Sequence, residues 1–217
     1  MKNSKQQRSH SDEALSQQVG AADYQAFSQL VNSITPMQEA DMKLLLPVLQ
    51  SLQVKKHAYL LKEGEVCKHV CYLTSGFFRM YYIDYDGNEI NYRFAQKNNF
   101  IVDFQSFLIQ KPAHFYWQAM QDAELLALPY LGIQRLYAAS PSWNNFGRLI
   151  AERVYLQLNE RVEMLLFMTP EERYKHLLDT QPELFTLVSQ NQLSSYLGVK
   201  PESLSRLRKR LLKKGPR

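Results

Sequence analysis

The chain has 217 residues, with 26 Lys and Arg against 21 Asp and Glu, for a net charge of +5. A composition of 45% apolar and 22% charged residues excludes general disorder, and no apolar run approaches the ~18–20 residues that span a bilayer. The length allows one or two domains with a sizeable core.

Residues 1–23 are rich in Ser, Gln and Lys and lack an apolar h-region, so a flexible extension is expected there rather than a secretory signal. From Tyr24, Phe27, Leu30, Val31 and Ile34 recur at helical spacing. Thr35-Pro36 stops that helix and is expected to start a second, with Thr35 as N-cap and Pro36 at N1, running through Met42, Leu45, Leu46 and Leu49.

Between about 54 and 129 short apolar runs alternate with turn signals. The runs are Ala58–Lys62, Val70–Leu73, Phe77–Ile83, Glu89–Ala95, Phe115–Met120 and Leu125–Pro129. Ser75-Gly76 and the hairpin pair Asp86-Gly87 separate three of them. Strands at this spacing predict an antiparallel sandwich or barrel. Cys67 and Cys71 share one face of a strand but lack the further ligands of a zinc or iron–sulfur site, so buried free thiols and no metal are expected. No phosphate-loop, nucleophile-elbow, metalloprotease or dinucleotide motif is present, so neither an enzyme nor a cofactor is indicated.

Helical periodicity returns at Ser140-Pro141. Phe146, Ile150, Val154, Leu158, Val162 and Leu165 recur every three or four residues, and a helix longer than 25 residues favours a partner helix, so these six are the expected dimer seam. Thr169-Pro170-Glu171-Glu172 reads as a capped helix start. Ser189-Gln190-Asn191-Gln192 is a second capping box, Gly198 can take the left-handed turn position, and Pro201 suits N1 of a following helix. Leu193, Leu197, Val199, Leu204 and Leu207 fall where two steeply crossed helices must pack, with small Ser194 between them. This is the pattern of a helix-turn-helix.

The charge is concentrated in that motif. Residues 200–217 hold eight basic residues and one acid, +7, leaving the other 199 residues at −2. Such a segment fits a polyanion, and a second helix of this kind lies in the major groove of DNA. Arg206 is expected to contact guanine, with Glu202 and Ser203 also at base edges. Gln190, Ser205, Lys209, Arg210, Lys213 and Lys214 are assigned to phosphates. The competing reading of Glu202 and Arg206 is an intrahelical ion pair on a solvated face.

At these residues the chain resembles the Crp/Fnr transcription regulators over about residues 24–214. Glu63-Gly64-Glu65, Tyr72-Leu73, Ser75-Gly76 and Arg79 match family strand and turn positions. "RFAQKNNFIVDFQSFLIQKPAHFYWQA" is similar to the region of the phosphate-binding cassette, and "YLGVKPESLSRLRKRL" to regulators of the Bacteroidetes type. The resemblance implies an α+β chain: a flexible 1–23, an antiparallel β jelly-roll barrel with N-terminal helices over 24–139, a dimerisation helix over 140–168 and a helix-turn-helix domain over 169–217. It also implies a cytoplasmic homodimer that binds double-stranded DNA and meets RNA polymerase. Cyclic-nucleotide binders of the family use a Gly-Glu pair and a later Arg. Here Val102-Asp103 replaces the pair, and Ala113-His114-Phe115 stands near the Arg position. A buried phosphate without a cation is costly, so the sensor is expected to be degenerate. Arg79, Asp103 and His114 are the candidate pocket residues for an unknown small-molecule effector. The alternatives are a cyclic-nucleotide module whose basic tail contacts protein, and an enzyme using the barrel pocket.

Overall fold

Turn chemistry sets most element boundaries in the computed structural model, which describes residues 15–17 and 19–214, with side chains for 19–211. Strand β1 (Leu15–Gln17) pairs antiparallel with β2 (Gln50–Val54), and helix α1 spans Ala21–Ile34. The edge of β2 offers backbone partners to residues 15–17; most of the extension expected over residues 1–23 lies outside the described residues. Thr35 is extended and closes α1, its N–H donating to Val31 O at 2.8 Å. The next helix, α2, is only Glu39–Lys43, with Gln38 rather than Thr35 at its N-cap. Pro36 starts no helix; Asn32 Oδ1 instead takes the Met37 N–H at 2.9 Å.

The strands continue with β3 (Tyr59–Leu61), β4 (His69–Ser75), β5 (Phe77–Ile83), β6 (Glu89–Gln96) and β7 (Phe100–Ile101). Helix α3 (Phe104–Ile109), β8 (Tyr116–Ala119), β9 (Ala123–Pro129) and α4 (Tyr130–Ala139) follow. They form two open sheets, ordered β1-β2-β9-β4-β7 and β3-β8-β5-β6, where a barrel was expected. Neither sheet closes on itself, since each ends in edge strands. Gly76 makes the change of sheet between β4 and β5: it sits at φ +98°, and a Cβ there would lie 2.6 Å from Ala123 Cβ. Leu73, Phe77, Phe78, Ile101, Trp117 and Leu125 are buried.

Helix α5 runs from Pro141 to Phe167, 27 residues or about 40 Å. Its first turn holds α2: Trp143 Nε1 donates to Asp41 O at 2.9 Å and Ser142 Oγ to Asp41 Oδ2 at 2.9 Å. Then come α6 (Pro170–Thr180), α7 (Leu184–Leu187), α8 (Gln190–Leu197) and α9 (Pro201–Lys214). The chain divides into two units: residues 1–80 with 94–148, and residues 81–93 with 149–217. The outer part of the β5–β6 hairpin thus belongs to the helical unit.

Candidate nucleic-acid interface

The α8–α9 pair is built from local rules. Ser189 Oγ accepts from Gln192 N at 3.2 Å while Gln192 Oε1 accepts from Ser189 N at 3.0 Å, so two otherwise unpaired backbone donors are satisfied at the start of α8. Gly198 takes φ +65°, ending α8, and Lys200 O receives the N–H groups of Ser203 and Leu204 at 3.0 and 3.1 Å to begin α9. Leu193, Leu197, Leu204, Leu207 and Ser194 are buried as the spacing requires; Val199 is half-buried. Tyr196 joins this core although sequence spacing did not single it out.

The polar face of α9 is open. Glu202, Arg206 and Lys209 are exposed, and Ser203 and Ser205 are half-buried. Arg206 Nη2 donates to Ser203 Oγ at 3.2 Å, so the pairing partner is the serine rather than Glu202. Ser203 and Arg206, with Pro170, Val199, Lys200, Leu207 and Arg210, line an open cleft of about 470 Å³ between the start of α6 and α9. Two assigned phosphate ligands have other partners. Gln190 Nε2 donates to Pro201 O at 3.1 Å, tying α8 to α9, and Arg210 Nη2 lies 2.6 Å from Glu171 Oε2. The side chains of Lys213 and Lys214 lie outside the described residues.

Three groups escaped the sequence reading. Asn91 of β6 bonds Ser195 and Arg161 of α5 donates to Tyr196 O, both on α8, while Arg173 of α6 donates to Met168 O, just past the end of α5, at 2.9 Å. Burial pushes the Arg161 guanidinium below its ordinary pKa and the Tyr196 phenol above it. A basic residue on a helix reads as solvated until its partner is known, so no sequence signal marked these positions.

The three candidate effector residues are placed differently. Arg79 is buried in β5, and its Nε and Nη2 donate to Gln118 Oε1 at 2.9 and 2.6 Å. Asp103 is buried as the N-cap of α3, accepting from Ser106 N at 3.0 Å, so its own carboxylate takes the position an anion would want. His114 is exposed. Cys67 and Cys71 are free and buried, and burial raises the Cys67 thiol to about 11 and pushes Cys71 higher still. Among the described residues no group of three or more His, Cys, Asp and Glu side chains could hold a metal, and no helix is long and apolar enough to cross a membrane.

The six residues of the expected dimer seam differ in exposure. Phe146, Ile150 and Val154 are buried within the chain itself, Leu158 is half-buried, and only Val162 and Leu165 are exposed. Phe146 packs edge-on against Trp143, with ring centroids 5.5 Å apart. The exposed large apolar side chains of α5 are Tyr155, Leu156, Val162, Leu165, Leu166 and Phe167, of which Leu166 is 70% exposed. Tyr155 and Val162 are seven apart and Leu166 four further on, the spacing of a helix–helix seam.

Residues 51–140 match the cyclic nucleotide-binding domain family. No curated protein matches the chain. Among solved structures, FixK2 from Bradyrhizobium japonicum is similar with a TM-score of 0.64 and 17% identity over 77% of this chain and 86% of that one. A protein described as a transcriptional regulator of the crp/fnr family from Eubacterium rectale gives 0.65 and 17% over 82% and 85%. The c-di-GMP-responsive global regulator CLP of Xanthomonas campestris, which links cell–cell signalling to virulence gene expression, gives 0.62 and 18% over 82% and 93%.

Proposed function

We propose that this chain, which carries a cyclic nucleotide-binding-type domain on a fold shared with Crp/Fnr regulators, is a sequence-specific DNA-binding transcriptional regulator. The carrying observation is the α8–α9 pair: a leucine core closed by a left-handed Gly198, with Glu202, Arg206 and Lys209 exposed on the outer face of α9. In this reading the pair is a helix-turn-helix and α9 enters the major groove, with Arg206, Glu202 and Ser203 at base edges and Ser205, Lys209, Lys213 and Lys214 toward phosphates.

The active form is a cytoplasmic homodimer that joins through the exposed Tyr155, Leu156, Val162 and Leu166 stripe of α5. Burying that stripe removes apolar surface from water. The jelly-roll-type sheet domain serves as a degenerate sensor. Its Asp103 carboxylate occupies the first turn of α3, and Arg79 is engaged by Gln118. Contact with RNA polymerase completes the proposal. Selection from a random DNA pool tests it: the expected outcome is an enriched motif with two-fold-related halves, and a pool that shows no enrichment overturns it.

A further inference from the structure

Helix α8 is held from two sides within the helical unit. On one side is the β5–β6 hairpin. Asn91 is 1% exposed; its backbone N–H reaches Ser195 Oγ at 3.2 Å, and its side-chain amide donates to the same oxygen at 2.8 Å and to Gln192 O at 3.5 Å. Ser195 Oγ itself donates to Gln192 O at 3.0 Å, so the hydroxyl uses its proton and both lone pairs. On the other side is α5, where the Arg161 guanidinium stacks over the Tyr196 ring at 4.1 Å and donates to Tyr196 O. That carbonyl lies in the last turn of α8, where the helix dipole is negative.

This grip is incompletely satisfied. Asn91 Oδ1, Arg161 Nε and Nη1, and Arg173 Nε are buried without a hydrogen-bond partner, four of the eight such side-chain atoms found among the described residues. All four surround α8, since a Cβ on Gly198 at its end would lie 3.9 Å from Arg173 Nη2. Arg161 and Arg173 also repel each other. Buried polar atoms left unpaired oppose the state that contains them, and opening the grip would return them to water. β5 and β6 both run from the first unit into the second, so the hairpin that carries Asn91 is continuous with a sheet of the cyclic nucleotide-binding-type domain.

We propose that Asn91 and Ser195 form a latch that holds α8, and with it α9, in a resting arrangement, and that its opening raises DNA affinity. The proposal rests on the DNA-binding reading and gives the sheet domain a route to the helix pair besides the long helix. The test uses the full chain with Asn91→Ala, Ser195→Ala and the double variant, an operator from the random pool, and amide exchange across residues 190–197. Each single variant should bind the operator about fivefold tighter or more, at the lower end of coupling between sites. The double variant should gain no more than either single one, because both remove the same contact. A merely structural role would lower affinity instead. Asn91 is the more buried of the two and its loss is the more disruptive, so Ser195→Ala carries the decision: a folded Ser195→Ala protein with unchanged or weaker operator binding overturns the latch. Wild-type protein that enriches no sequence would sink the DNA reading and, with it, the effect of the latch on affinity. Amide exchange unchanged at 190–197 in both single variants would overturn the latch whether or not the DNA reading stands.

Discussion

Glu171 Oε2 lies 2.6 Å from Arg210 Nη2, so the first turn of α6 neutralises a cation on the exposed side of α9. Lys175 shares the same carboxylate at 3.0 Å. The pair is partly exposed and adds little to stability, but a DNA phosphate must compete with Glu171 for Arg210. Glu171→Gln should leave thermal stability nearly unchanged and tighten DNA binding. The plot of log affinity against log salt should steepen by about 0.9, one extra phosphate contact. Binding and slope equal to wild type would show that Arg210 stays off the DNA.

Arg206 is exposed and oriented only by a 3.2 Å bond to Ser203 Oγ, which leaves most of its guanidinium donors available. Arg206→Ala should lose about 1–3 kcal/mol at one base pair in each half-site and relax selection there, while binding to unrelated DNA changes little. A uniform loss across all sequences, measured by competition, would instead place Arg206 on a phosphate.

The two apolar stripes of α5 should separate under mutation. Val162→Glu with Leu166→Glu is expected to yield a folded monomer in sedimentation experiments. Phe146→Ala should lower stability by roughly 3–5 kcal/mol and leave the oligomeric state alone. A dimer that survives both charged substitutions would remove α5 from the interface.

The buried thiols make alkaline pH destabilising. Cys67 is raised from 9.0 to about 11 in the folded protein, and Cys71 is raised further. Each contributes fully below pH 9, where folded and unfolded thiols are both protonated. Above pH 9 the unfolded thiols ionise first, so stability should fall by about 1.4 kcal/mol per pH unit for each thiol until its folded pKa is reached. Denaturant unfolding between pH 8 and 10.5, compared with Cys67→Ala and Cys71→Ala, checks the slope. Rapid labelling of either thiol in native protein at pH 8 would contradict it.

Asp103→Ala should cost roughly 1 kcal/mol through loss of the α3 cap. Calorimetry with cyclic AMP and cyclic GMP is expected to show no heat for wild type, because the buried carboxylate already occupies that turn. Micromolar binding would restore the cyclic-nucleotide reading.

Elements with a strong local signal were legible and others were not. Phe77–Ile83 is a strand with the boundaries its composition indicates, and α6 and α8 begin at their capping boxes. Strand β7 has two residues and exists only because β4 offers it an edge. Helix α4 starts without a side-chain cap and carries Gly132 in its first turn, so its sequence resembles a loop. Helix α3 did carry a readable sign, Asp103 directly before Phe104, masked by the family comparison that cast Asp103 as a pocket residue.

What the sequence by itself determined is therefore local and compositional. Hydrogen bonds that span a few residues set the capping boxes, the left-handed Gly198 and the hairpin at Asp86-Gly87, and simple counting places +7 in residues 200–217. The partners of the polar side chains were decided only by the tertiary structure: Arg210 meets Glu171 across 39 residues, and Asn91 meets Ser195 across 104. The same holds for which side of α5 is covered. A helical period marks a stripe, but whether that stripe faces its own chain or a second one depends on what packs against it, and packing is set by residues far away in sequence.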